Sequence, residues 1–387
     1  MVNVTRWKIL WGGIWIAFLF GHCGHIVDSQ PETEISLPKI DIRIDSESLT
    51  TLVNTNYTDY SPRVKATLGG RTYNSRIENQ GYGSRRYVKK SYKLKFEERE
   101  LYESRQGRLI ITAQFLDPSF LRYRLSLKLF EEAGLPVLNT DFAGLYMNDV
   151  FYGIYLTVEP VDEYFLINRN IPPGNLYKAI DGNARFSLKS GYQVELGFEK
   201  KINEDGNSND LVNLLYVLDT VPDSLLNAAL RPILDIENAL DYLAVSVLTC
   251  NWDGFFHNFY LFHNPETGRF MFIPYDLDMT FGLGAPASSM HVNGHCHKGA
   301  NDLFERLLSY PPYRQYYRNR LETLLASSFS VEHLSPIMED IYQRLIDDYA
   351  KDPVLGRVGY NLAREINGLK DFIETRAAFV RAELKDF

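Results

Sequence analysis

Cysteine is scarce. Cys23, Cys250 and Cys296 are the three in 387 residues. That is too few for a disulfide framework, and it leaves the compartment open. Excess positive charge is also missing: 41 Lys and Arg against 49 Asp and Glu give a formal net charge of −8, which argues against a general nucleic-acid binder. The N-terminal apolar run, Ile9 to Phe20, falls short of the roughly 20 residues a spanning helix needs. Arg6 and Lys8 precede it, and the pattern resembles a signal-peptide core more than a membrane span. Residues 1–27 are therefore expected to be a leader or anchor for export or membrane tethering, although no small-x-small cleavage site is clear. An upstream extension of uncertain start is the alternative. Residues 28–38, polar with two prolines, read as a linker.

What is present describes an ordinary globular protein, 45% hydrophobic and 23% charged, long enough for two lobes. Aromatics are plentiful, with 25 Tyr and 23 Phe. From Lys39 to Phe96 the pattern is β-rich: KIDIRID and SYKLKF alternate, and Gly69-Gly70 between RVKATL and RTYNSRIE signals a two-residue hairpin. Residues 61–100 carry eleven Lys or Arg against four Glu. This segment is suited to phosphates or an acidic substrate, or is simply a solvated strand face. Within it, Gly81 and Gly83 offer backbone amides to phosphates, with Lys89 or Lys90 as the cation; an ordinary loop reads the same way. Asp117-Pro118 is a favoured helix start, and the apolar spacing of Leu121, Leu125 and Leu129 predicts a helix closing at Gly134. Two strands follow around Asn148-Asp149, and beyond Glu159 the chain turns to helices and loops.

The chemistry concentrates between Cys250 and Gly282. Asp253 and Asn258 stand in a D-x-x-x-x-N spacing, and Asp276 follows a hairpin, FYLFH and RFMFI around NPETG. In a protein kinase the Asp of such a pair takes the substrate hydroxyl's proton, while the Asn and a later Asp hold magnesium on the nucleotide phosphates. Asp and Asn also cap turns, so the spacing alone is weak. The preceding segment, Asp235-IENALDYLAVSVLTC, reads as a capped, buried helix able to deliver that loop. Asp278 is open to three uses: a second metal, loop ordering or a turn cap. YDLDMT also fits the D-x-D-x-T of phosphotransferases whose first Asp, here Asp276, is a nucleophile. Those enzymes place it at the start of a parallel α/β domain, which the helices after residue 280 do not supply. His291, His295, Cys296 and His297 cluster in SSMHVNGHCHKGA, and without a second cluster a polar loop explains them better than zinc.

Taken together, GYGSRRYVKKSY, DPSFLRYRLSL, YMNDVFYGIYLTVEPVDEYF, NWDGFFHNFYLF and IPYDLDMTFG resemble the spore coat protein H (CotH) family of atypical protein kinases, from about residue 40 to the C-terminus. The resemblance implies a two-lobed α+β fold, with a β-rich N-lobe over 39–160, a mostly helical C-lobe over 161–387 and ATP between them. It implies magnesium- or manganese-dependent phosphorylation of Ser or Thr in protein substrates, Ser-rich coat proteins above all, at the spore coat or cell surface. Asp253 would be the catalytic Asp, and Asn258 and Asp276 the metal pair. Lys89, with Lys90 and Ser84, would lie at the phosphates, and Glu159 at the hinge near the adenine. Gln80 departs from the family's usual Arg. The alternative from another class is a non-catalytic coat scaffold that keeps the fold.

Overall fold

The computed structural model describes residues 34–387 apart from 57–58, 82, 98–106, 204–205, 297–298, 300 and 359–360. The expected leader, the first part of the linker and His297 lie outside the described residues. Among the described residues, no helix is long and apolar enough to cross a membrane.

Alternation builds the N-terminal half. In β1 (Lys39–Arg43) Ile40 and Ile42 are buried while their neighbours are not, the period expected of a strand with one face in a core. After α1 (Ser46–Asn54) come β2 (Arg63–Leu68) and β3 (Arg71–Gln80), joined at Gly69-Gly70. Both glycines have positive φ, 54° and 78°, as a tight primed turn requires. Next come β4 (Ser91–Phe96), β5 (Arg108–Thr112), α2 (Leu121–Glu132), β6 (Thr140–Met147) and β7 (Val150–Val158). The seven strands close into a barrel in the order β1-β2-β3-β4-β5-β7-β6, with β1 and β6 parallel. Ile42, Ile77, Leu94, Ile111 and Leu145 fill its interior, each contributing about 1.5–3 kcal/mol relative to exposure.

The second half is a mixed α+β layer. It comprises α3 (Glu163–Ile167), β8 (Asn175–Ala179), β9 (Phe198–Ile202), α4 (Asn209–Thr220), α5 (Leu226–Leu230), α6 (Ile236–Thr249), β10 (Phe259–Asn264) and β11 (Arg269–Pro274). The helices α7 (Asp302–Leu308), α8 (Pro311–Ala326), α9 (Val331–Tyr349), α10 (Leu355–Val358) and α11 (Leu362–Glu383) complete it. Four strands form an antiparallel sheet, β11-β10-β8-β9. The fold is thus β-rich in its N-terminal part and largely helical in its C-terminal part. A second apolar core takes in α2 and the outer side of β6 and β7 as well as the helices, so α2 packs with the C-terminal half although it lies between barrel strands in the chain.

Two local expectations change. The helix predicted from Asp117 starts at Leu121, behind Phe120 in the left-handed region. Asp117 is held at the helix's start by the Arg122 backbone N–H (2.9 Å) and guanidinium (2.6 Å). The end of the expected linker is anchored: the Ser36 and Leu37 backbone N–H groups donate to Asp348 at 2.8 and 3.0 Å.

Candidate functional site

The sequence Asp253–Asn258 follows α6 directly. Asp235 caps α6 by accepting from the Asn238 N–H at 3.0 Å, and Cys250 ends it in the left-handed region, φ 52°. Arg376, fully buried on α11, donates to the Val247 carbonyl at 2.7 and 3.0 Å and so ties the end of α6 to the C-terminal helix. The loop is then held from beneath: Tyr242 donates its hydroxyl to the Gly254 carbonyl (2.8 Å), and the Asn301 amide donates to the Phe255 carbonyl (2.7 Å). Any side chain at 254 would strike Asn251 and the Tyr242 hydroxyl, which accounts for the glycine of NWDGF.

These supports bring three of the expected residues together. The Asn258 amide donates to Asp253 Oδ2 at 2.9 Å and to the Asp276 carbonyl at 3.3 Å. The Asp276 N–H in turn donates to the Tyr123 hydroxyl of α2 at 3.3 Å, and Ser126 of the same helix meets Thr280 at 2.9 Å. Cys250, Asn258, Asp276 and Phe281 all have φ between 48° and 56°. Such costly conformations persist only where surrounding structure enforces them, and they gather at functional sites.

Asp253, Asn258, Asp276 and Asp278 line a cleft of about 930 Å³. Burial raises the Asp276 carboxyl above its ordinary range, against the pull of Lys178 and His257 and with the repulsion of Asp253. Asp278 is pushed higher still, by burial and then by Asp276, Asp117 and Asp253. His257, between Asp253 and Asn258 in the chain, is lowered by burial despite both carboxylates. Carboxylates that line one cleft and repel one another are poised for a cation. Among the described residues, no three Asp, Glu, His or Cys side chains form a ready-made metal cage. Magnesium does not need one: it keeps several waters and takes one or two protein carboxylates together with substrate phosphates. Asp276 and Asn258, with Asp278 beside them, suit that mode.

The opposite wall is basic and glycine-containing. Gln80, Gly81, Gly83 and Ser84 lie on it, with Ser84 donating to the Gln80 carbonyl at 3.4 Å. Gly81 has φ 97°, and a Cβ there would collide with the Ser84 hydroxyl. Gln80 hydrogen-bonds the Tyr275 hydroxyl, offsetting in part the burial that raises that phenol.

Three expected residues are engaged by other partners. The Lys89 ammonium, expected at phosphate, is buried against Asp352 and the Ile154 carbonyl, 2.6 Å from each, although the residue lines the cleft. Lys90 donates to Asn56 Oδ1 at 3.0 Å and to the Arg85 carbonyl, away from the cleft. Glu159, expected near the adenine, is paired with Arg169 at 2.7 Å and accepts from the Asn139 N–H at 3.0 Å. Glu78 and Lys93 are directly opposed on β3 and β4 and 2.5 Å apart, with Lys95 also 2.5 Å from Glu78. All three line the cleft. The signal for them was the alternation of SYKLKF, which places Lys93 and Lys95 on the face opposite the buried Tyr92, Leu94 and Phe96.

The strand leading to Asp276 belongs to an antiparallel sheet, so the parallel α/β setting of an aspartyl-phosphate enzyme is not found. The loop carrying His291 and His295 is tied down by His291 to Glu383 and by His295 to Glu305 at 3.1 Å.

Comparison with known proteins places this geometry. The chain is 31% identical to the inner spore coat protein H of Bacillus subtilis (strain 168) over 314 residues, 80% of this chain and 86% of that protein. It is 26% identical to the same organism's inner spore coat protein H-like protein, over 77% of this chain and 87% of that one. Among solved structures it is similar to a chain of the Shewanella oneidensis MR-1 HipA, HipB and operator DNA complex (TM-score 0.38, 13% identity, 93% of this chain and 76% of that chain). The Helicobacter pylori proinflammatory kinase CtkA gives a TM-score of 0.31 at 14% identity, over 76% of this chain and 93% of that one. Those two scores are too low to carry an argument. The model of the CotH kinase protein family matches residues 77–380, which include both walls of the cleft, and the chain belongs to that family of kinase-like proteins.

Proposed function

We propose that the chain transfers the γ-phosphoryl group of ATP to Ser or Thr hydroxyls of protein substrates. The observation that carries this reading is the hydrogen-bonded set of Asp253, Asn258 and Asp276 on the floor of a cleft whose other wall is basic. Asp253 orients the acceptor hydroxyl and takes its proton as the bond to phosphorus forms. Asn258 and Asp276, with Asp278, would hold magnesium or manganese, which when bound would neutralise phosphate charge. Lys93, steadied by Glu78, takes the phosphate-contacting role expected of Lys89, and the segment around Gly81, Gly83 and Ser84 covers the phosphates. Such a site works mainly by positioning and charge, because phosphoryl transfer asks little covalent chemistry of the protein.

The nucleotide would lie between an N-lobe over 39–160 and a C-lobe over 161–387. The names of the two Bacillus relatives support the spore coat as the place of action, and Ser-rich coat or surface proteins would be the substrates. Residues 1–27 would then serve export or tethering. The test is transfer of label from γ-labelled ATP into a Ser-rich basic peptide by wild type, Asp253→Asn and Asn258→Ala. Labelled phosphoserine from the wild type alone is expected. Equal labelling by all three overturns the roles given to Asp253 and Asn258, and no labelling with either metal overturns the reading in favour of a scaffold.

A further inference from the structure

Phosphoryl transfer spreads negative charge over the moving group, and kinases meet it with a cation. The loop Asp253–Asn258 reads DGFFHN and carries neither Lys nor Arg. Four lysines line the cleft: Lys89, Lys93, Lys95 and Lys178. Lys89 is committed to Asp352, and Lys93 and Lys95 share Glu78. Lys178 is different. It sits on β8 opposite Tyr260 of β10, inside the sheet that ends in Asp276. Its ammonium lies 4.9 Å from the centre of the Tyr275 ring. Among the described residues it forms no ion pair. Tyr275 is itself held edge-on by Tyr260, with ring centres 5.2 Å apart.

An aromatic ring attracts a cation without using its N–H donors. The ring therefore steadies the ammonium while leaving it able to donate to something else. A lysine that forms no ion pair among the described residues, in the same cleft as two carboxylates that suit a metal, is complementary to an anion arriving with that metal.

We propose that Lys178 is a catalytic residue that donates to the γ-phosphoryl group of the nucleotide, supplying from β8 the positive charge that the Asp253 loop lacks. The proposal rests on the nucleotide reading above. It separates two jobs on the two walls: Lys93 holds phosphates that stay with the nucleotide, and Lys178 follows the group that leaves.

The test is binding first and turnover second. Magnesium-ADP and magnesium complexed with the non-hydrolysable β,γ-imido analogue of ATP are titrated into wild type, Lys178→Met and Lys178→Arg, with thermal melts to confirm folding. Lys178→Met is expected to bind the ATP analogue about ten-fold more weakly, the loss of one charged hydrogen bond, and to bind ADP within two-fold of wild type. Its kcat is expected to fall about 10²-fold, with Lys178→Arg recovering part of both effects. Equal weakening toward ADP and the analogue, or no change in either, overturns the proposal while the kinase reading stands. If wild type binds the analogue but transfers no phosphate, the kinase reading falls and the binding comparison still decides the role of Lys178. Binding of neither nucleotide by wild type overturns both.

Discussion

Two charge clusters, one in the interior and one lining the cleft, differ in one respect: the first is complete and the second is not. In the first, Lys89 donates to Asp352 and to the Ile154 carbonyl. Asp352 also accepts from the Ile154 N–H at 2.7 Å and from the Val354 and Leu355 N–H groups at 2.9 Å. Gly153 lies against this pair with φ 122°, where any Cβ would collide with Asp352. Protein alone satisfies every charge, and the pair joins β4's leading segment to the turn after α9. In the second cluster, burial raises Asp276 and Asp278 despite the pull of Lys178 on Asp276, and among the described residues Lys178 forms no ion pair. Completeness marks a charge kept for architecture. An unfinished set of charges facing a cleft marks one kept for a ligand.

The largest effect expected from this contrast is on activity. Asp276→Asn preserves shape, and Asn is tolerated at the left-handed φ of 55°, so the change removes charge and little else. Phosphoryl transfer should fall by about 10³-fold or more, at the upper end of what a single charge-stabilising group supplies. The variant should melt no lower than wild type, because it removes one of several mutually repelling carboxylates that line the cleft. Label incorporation and a thermal melt on one preparation check both halves; a lower melting temperature with activity kept would reverse the assignment.

Asp352→Ala should do the opposite. It strands the Lys89 ammonium in an apolar interior, at a cost of about 3–5 kcal/mol. Denaturant unfolding measures that loss. Molecules that remain folded should keep kcat within a few-fold, since neither Lys89's ammonium nor Asp352 faces the acceptor. A large kcat defect at unchanged stability would return Lys89 to the site.

The contrast also explains what the sequence made legible. Strand alternation, the Gly69-Gly70 and Asn148-Asp149 turns and the NPETG hairpin are local, so they can be read from a few residues, and they were found where expected. The Asp253, Asn258 and Asp276 set was legible for the same reason: a short loop and one hairpin carry it. Lys89 was not, because its partner stands 263 positions away, and nothing local says which of several neighbouring lysines will be buried. Glu159 failed similarly, since Arg169 claims it through a turn that composition does not reveal. Lys93 and Lys178 required the pleat and the sheet order, which decide the wall each side chain faces.

A third cluster lies between the extremes and sharpens the scale. Asp210 accepts from His263 at 2.8 Å, Tyr177 at 2.5 Å and Asn175 at 2.8 Å. It is complete like the first cluster but only partly buried, with side-chain exposures of 25% for His263 and 16% for Asp210. Burial alone would raise Asp210, but these hydrogen bonds outweigh it and hold the carboxyl below its ordinary 3.8. The bond to Asp210 raises His263 above 6.5. A raised His contributes stability that is full below its unfolded value and lost as pH rises through the folded one. A lowered Asp contributes above its unfolded value and loses that contribution as pH falls. The pair's support is therefore greatest between those two ordinary values, 3.8 and 6.5. His263→Gln should remove about 1 kcal/mol there, the upper end for a pair with this much solvent contact. Because the wild type loses the His263 contribution at higher pH anyway, the difference between the two unfolding curves should shrink from pH 6 to pH 9. A constant difference across that range would mean that His263 acts through packing against Phe270, whose ring stacks on it at 4.5 Å, and that charge completeness matters only where water is excluded.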